Sequence, residues 1–133
     1  MKLRTHVVTI VGVAVLSIST MLSAQAAFIE NEYVCEDAYM EVAYDCGNNA
    51  VIVEKNRLNK IYSNIYRPLN NTQKAQLDKE QRAWLKARND KCAFEYEGPM
   101  NNSIVYAQIG ANVCTAIESQ KRSKVLVKKY NIQ

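Results

Sequence analysis

Residues 73–97 read QKAQLDKEQRAWLKARNDKCAFEYE, and within them Leu77, Gln81, Trp84, Leu85, Arg88 and Cys92 recur every three or four positions. That period places them along one side of an α-helix with most of the charge on the other, so the spacing predicts a long amphipathic helix from Gln73 to Glu97. Asn70-Asn71-Thr72 precedes it as a polar turn whose last members can cap it, and Gly98-Pro99 follows as a stop.

Upstream, Leu58, Ile61, Tyr62, Ile65, Tyr66 and Leu69 repeat the same spacing, which predicts a second helix from Ala50 to Arg67. Pro68 ends it, because proline lacks the amide donor and crowds the preceding turn. Gly47-Asn48-Asn49 reads as an interruption whose asparagines cap the helix that follows. Residues 28–46, FIENEYVCEDAYMEVAYDC, then form a short irregular or helical opening element with Val34, Ala38 and Val42 as a thin apolar stripe. Downstream, Asn101-Asn102-Ser103 offers a cap before Ile104, Val105, Ile109, Val113, Cys114 and Ile117. The pattern runs on through Lys121, Val125 and Leu126 to Tyr130. The expected fold is all-α: a small antiparallel bundle of three long helices plus the N-terminal element. Two Asn-x-Ser/Thr triplets, beginning at Asn70 and Asn101, are better read as caps than as glycosylation acceptors.

The chain has 133 residues with only four Gly and two Pro, which suits one helical domain and disfavours a turn-rich β-sandwich. Lys2 and Arg4 precede an apolar run from Val7 to Leu22, and Ala24-Gln25-Ala26 supplies the small residues that a signal peptidase accepts. Residues 1–26 therefore read as a secretory leader cleaved after Ala26, and residues 27–133 as a domain that is periplasmic or secreted. The apolar run, roughly 16 residues, is short for a bilayer core of about 30 Å. No Cys stands at the cleavage point to carry a lipid. The single His, His6, lies in the leader, so the exported domain has no imidazole for general-base chemistry. Without a Gly-rich phosphate loop, and with no carboxylate pair suitably placed on one helix face, neither catalysis nor a cofactor is expected.

Cys35, Cys46, Cys92 and Cys114 all fall in the exported part. An even number in a small exported domain reads as two disulfides. Three pairings are open, and spacing favours Cys35 with Cys46 and Cys92 with Cys114. Each such bridge is worth on the order of 3 kcal/mol in the chain-entropy account. A zinc site, the competing reading, normally brings ligands in close pairs, and no close pair is present.

Leu58-Asn59-Lys60-Ile61-Tyr62, the stretch Gln81-Arg82-Ala83-Trp84 with Arg88 and Cys92 one and two turns on, and the later Cys114 together resemble the LprI-type lysozyme-inhibitor domain family of exported bacterial proteins. The resemblance spans nearly the whole exported chain, with departures at Asn89, at Gly98–Ser103 and at Ser119. Physically, Trp84 anchors the core beside a disulfide, while Gln81 and Arg88 cover its edges and bridge to Asn59 or a nearby carbonyl.

The resemblance implies a non-enzymatic protein that binds and blocks a lysozyme. Charge is segregated in a way that suits a cationic partner: residues 27–54 hold Glu30, Glu32, Glu36, Asp37, Glu41, Asp45 and Glu54 and no Lys or Arg. The first six are the expected docking carboxylates, and the turn Gly98–Ser103, with Asn101 and Asn102, is the expected projecting loop. Two alternatives remain. One is an envelope adaptor whose basic run, Lys121 to Lys129, touches anionic headgroups or peptidoglycan. The other is an immunity protein against a wall-degrading toxin. Nucleic acid gets no support as a partner.

Overall fold

The structure, a computed structural model, describes residues 28–36 and 39–132. The leader 1–26, and with it His6, lies outside the described residues, as do Asp37 and Ala38. Three helices follow one another: α1 (Met40–Tyr66), α2 (Asn71–Lys91) and α3 (Asn102–Tyr130), with no strand among the described residues. No helix among the described residues is long and apolar enough to cross a membrane.

The expected break at Gly47-Asn48-Asn49 is absent, and α1 runs straight through it. The asparagine oxygen that was expected to cap is used sideways: Asn48 Oδ1 accepts from Asn112 Nδ2 of α3 at 2.8 Å. Gly47 is inward-facing, and a Cβ there would stand 3.4 Å from Asn112 Cβ and 3.6 Å from Ile109 Cγ2. Ala43, Gly47 and Ala50 thus form a seam of small residues that lets α3 approach. Val34 and Val42, expected as an apolar stripe, are exposed instead. The buried side of α1 is the one carrying the small residues.

After Pro68 the chain turns, and Asn70 rather than the later Asn71 or Thr72 caps α2. Its side chain accepts from the Gln73 amide at 2.9 Å while the Gln73 side chain accepts from the Asn70 amide at 3.0 Å. α2 ends at Lys91 with Cys92 as its cap, six residues before the expected Glu97. Residues 93–101 continue as irregular chain, because Cys92 is bonded to Cys114 and the remaining distance to the start of α3 is spanned without a helix. Asn101 caps α3 as expected, accepting from the Ser103 amide at 2.9 Å. At the far end Asn131 adopts the left-handed conformation, φ 50°, and the Ile132 amide closes back onto Val127.

Cross-helix contacts fix the directions. Gly47 meets Ile109, Arg57 reaches Gln120, and Leu58 and Ile65 pack with Leu126, so α1 and α3 run the same way. Lys129 pairs with Glu80, Arg122 with Gln81, and Cys92 with Cys114, so α2 runs against both. Sequential helices are antiparallel, as expected of a three-helix bundle. One apolar cluster, Leu58, Ile65, Leu77 and Leu126 with Trp84 and Tyr62 against it, joins all three helices. A second, Cys35, Ala43 and Ile109 with Val105 and Val113, lies near the starts of α1 and α3. Between them the seam turns polar: Glu54, Ser119, Gln120 and Ser123 are buried there.

Residues 28–36 form a strap antiparallel to α1. Cys35 is bonded to Cys46, Tyr33 and Asn31 reach Glu54, and the Ile29 carbonyl accepts from Arg57 at 2.7 Å. The strap touches α3 through Gln120 and Lys124, whereas α2 uses Glu118 and Arg122. At about 100° per residue these positions lie on opposite flanks of α3, so strap and α2 cover opposite sides of the α1–α3 seam.

Candidate functional site

Both disulfides pair as spacing favoured, Cys35 with Cys46 and Cys92 with Cys114, each with Cα atoms 5.5 Å apart. Among the described residues no cysteine is free and no cluster of metal-ligating side chains occurs. The helix residues expected in the core are there: Leu58 is buried, and Tyr62 and Trp84 pack against its cluster. The Trp84 ring carries two guanidiniums, Arg88 at 5.1 Å and Arg122 at 5.8 Å from its centroid. Gln81 and Arg88 do bridge, but to α3 and not to Asn59: Gln81 accepts from Arg122 at 3.1 Å and Arg88 donates to Ser119 at 3.4 Å. Their partners stand on α3 because α2 packs its polar flank there.

The acidic residues divide into three kinds. Glu54, grouped with the others by charge alone, is fully buried. Glu30 is exposed but ion-paired with Lys124. Glu32, Glu36, Glu41 and Asp45 are exposed and enter no ion pair among the described residues. Glu32 borders a hollow on the strap side with Lys121 and Lys124, whereas Glu36, Glu41 and Asp45 lie around the Cys35–Cys46 bridge in company with exposed apolar and aromatic side chains. Val34, Glu36 and Tyr106 border one hollow there; Met40, Glu41, Tyr44, Asp45 and Val105 border another. Tyr39 at 71% exposure and Val42 belong to the same end. The combination of uncompensated negative charge with tyrosines suits a protein interface, where aromatic residues anchor and charge steers.

The turn before α3 lies at this same end, since Val105 of α3 borders a hollow with Met40 and Tyr44. Tyr96 braces it: its hydroxyl donates to the Pro99 carbonyl at 2.8 Å, and the ring sits so close to Gly98 that a Cβ there would fall 2.5 Å from the hydroxyl oxygen. Only glycine fits. Asn101 is occupied as the α3 cap, so of the two expected contact asparagines Asn102 alone is left exposed and uncommitted. Met100, which sequence reasoning passed over, is 87% exposed.

The basic run on α3 is largely spoken for. Lys121 pairs with Glu118, Lys124 with Glu30 and Lys129 with Glu80, and Arg122 is turned onto Trp84 and Gln81. Hydrogen bonds from Lys129 and Gln76 hold the Glu80 carboxyl below the usual carboxylate range, and those from Lys121 and Lys91 do the same for Glu118.

Two features were missed from sequence. Glu54 follows Ala43, Gly47 and Ala50 at three- and four-residue spacing and precedes Leu58 by four, a position that could have been read as inward. The other is a cleft of about 520 Å³ between α1 and α2 with α3 as its floor, lined on α1 by Lys55, Asn59 and Tyr62, on α2 by Arg82 and Arg88, and on α3 by Ser119. Tyr62 donates its hydroxyl to Asp78 there, and burial followed by that bond pushes the phenol pKa up.

No curated protein and no solved structure matches the chain. The sequence profile described as lysozyme inhibitor LprI, however, matches residues 35–126, a span that takes in all four cysteines, the Trp84 motif and most of the α1–α3 seam. With the match covering well over half of its length, the chain belongs to the lysozyme inhibitor LprI family.

Proposed function

We propose that this protein acts outside the cytoplasm, binding a lysozyme by protein–protein contact and blocking it. The contact surface is the acidic, tyrosine-bearing end of the α1–α3 pair. Family membership supports the class of activity. The observation that carries the surface is the group Glu36, Glu41 and Asp45, exposed, in no ion pair among the described residues, and set beside Tyr39, Tyr44 and Tyr106, with the exposed Glu32 further along the strap. Lysozymes of the animal type are cationic and cleave between two carboxylates, so a blocker needs negative charge for encounter and a projecting group for the cleft. Met100, on a turn braced by Tyr96 and bounded by the Cys92–Cys114 bridge, supplies an apolar projection at the same end. A braced turn loses less freedom on binding. The internal pairing of Lys121, Lys124 and Lys129 leaves the envelope-adaptor reading little free charge on α3.

The test is turnover of wall substrate by a panel of lysozymes titrated with the mature protein at low and high salt. Wild type should inhibit at least one of them. Replacing Glu32, Glu36 and Glu41 by Gln and Asp45 by Asn together should slow association roughly tenfold at low salt, with the difference shrinking as salt screens the charges. Inhibition of no lysozyme overturns the function; unchanged association of the quadruple variant at low salt overturns the surface.

A further inference from the structure

The cleft between α1 and α2 has a one-sided charge. Lys55, Arg82 and Arg88 line it, and none of them enters an ion pair among the described residues. Asp78 is the only carboxylate on its wall, and it is engaged by the hydroxyls of Tyr62 and Tyr66. Other cations outside the cleft, Lys60, Arg67, Lys74, Lys79 and Lys128, also enter no ion pair among the described residues; what sets Lys55, Arg82 and Arg88 apart is that they share one hollow.

Arg88 is the sharpest case. Its guanidinium is half-buried against Trp84, and its polar contacts are two bonds to the neutral Asn89 side chain and a 3.4 Å bond to Ser119. Arg122, on the same ring, has a buried Nη2 with no partner at all. Burial alone holds the Arg88 guanidinium below the usual arginine range, and burial does the same for Arg122 against the opposing pull of Glu80. Uncompensated charge in a partly dry site is unfavourable until an anion fills it. The rest of the lining is mixed: Val51, Leu58 and Leu85 are apolar, while Asn59, Gln81, Tyr62, Thr115 and Ser119 bring amides and hydroxyls of the kind that meet a sugar's donors and acceptors. The volume, about 520 Å³, suits a small molecule of that kind.

We propose that this cleft is a binding site for a small hydroxylated oxyanion, a sugar bearing a carboxylate or a phosphate, held by Arg88, Arg82 and Lys55 with Asn59 and Ser119 on its hydroxyls. The site is separate from the acidic end and stands or falls independently of lysozyme inhibition. Trp84 is the only tryptophan in the chain and touches Arg88, so its fluorescence reports directly on occupancy.

The mature protein is titrated with N-acetylmuramic acid, glucose 6-phosphate, inorganic phosphate and neutral N-acetylglucosamine, read by Trp84 fluorescence and calorimetry. At least one anionic sugar should bind more tightly than both the neutral sugar and phosphate alone, with affinity falling as salt rises. Preference for N-acetylmuramic acid assigns the carboxylate source, and preference for glucose 6-phosphate the phosphate source. Lys55→Gln with Arg82→Gln, two exposed residues with no hydrogen bond or ion pair within the described fold, should weaken binding roughly tenfold while thermal stability stays unchanged. Arg88→Lys, which keeps the charge but loses the planar fork, should weaken it as well. Absence of binding by both anionic sugars, equal binding of the neutral sugar, or an unchanged affinity in the double variant overturns the proposal.

Discussion

Burying the Glu54 carboxylate inside a helix seam is unfavourable unless donors come with it, and the strap brings them. Tyr33 and Asn31 donate to Oε1, while Oε2, with no hydrogen bond of its own, lies 3.5 Å from Arg57 Nε. Gln120 completes the clamp, accepting from the Asn31 amide at 2.7 Å and donating to its carbonyl at 3.0 Å. Glu54→Ala should therefore cost about 2–4 kcal/mol in unfolding free energy and expose the strap to chymotrypsin after Phe28 and Tyr33. A stable variant with an uncleaved strap would show that the carboxylate is not what holds it. Tyr62 makes a different prediction. Its raised pKa means the folded protein keeps the phenol proton more firmly than the unfolded chain does. That stabilisation is complete below about pH 10, where the unfolded phenol is still protonated, and is lost as pH climbs toward the folded value. Tyr62→Phe should cost about 1 kcal/mol at neutral pH and flatten the loss of stability above pH 10, measured by urea unfolding across the alkaline range.

Helix existence was legible because the apolar spacing of α2 and of the second half of α1 is strong, and Leu58, Ile65, Leu77 and Leu126 do meet. The cysteine pairs were legible from loop length alone. What misled was local chemistry with two uses. Gly47-Asn48-Asn49 looks like a break because glycine and asparagine favour turns, yet in this seam glycine admits a neighbouring helix and Asn48 bonds across it. The cleft was illegible for a related reason: Lys55, Arg82 and Arg88 look like ordinary solvated charge until the helices set them around one hollow. The seam reading has a direct test. A methyl at residue 47 meets Asn112 and Ile109 at ordinary contact distance, and alanine is the better helix former, so Gly47→Ala should be neutral or stabilising by up to about 1 kcal/mol. Gly47→Leu has no such room and should destabilise by about 1–3 kcal/mol. Thermal unfolding of the two variants decides it, and equal destabilisation by both would mean that the backbone rather than the close approach requires glycine.

Across the whole molecule the α1–α3 interface dominates, with α2 laid along one flank and the strap along the other. Each flanking piece is held by one apolar or buried contact set, a few polar bonds and one disulfide. For α2 these are Leu77 and Trp84, the bonds from Arg122 and Lys91, and Cys92–Cys114. The strap has its own in Cys35–Cys46 and the Glu54 clamp. The two bridges should therefore have separable effects. Cys92→Ala with Cys114→Ala removes the tie on the larger piece, whose loop closure is worth about 3 kcal/mol in the entropy account. Because the α2 backbone stands apart from α1 and meets it only through side chains such as Tyr62 with Asp78, its loss should be a local opening: amide exchange in residues 71–91 speeds up by more than in residues 43–65, which remain covered by α3. Cys35→Ala with Cys46→Ala should instead speed exchange in residues 28–36 and leave α2 protected. Equal acceleration in all three helices on losing the Cys92–Cys114 bridge would mean that α2 is no appended layer but part of one indivisible core, and the open cleft beside it would then be as rigid as the seam.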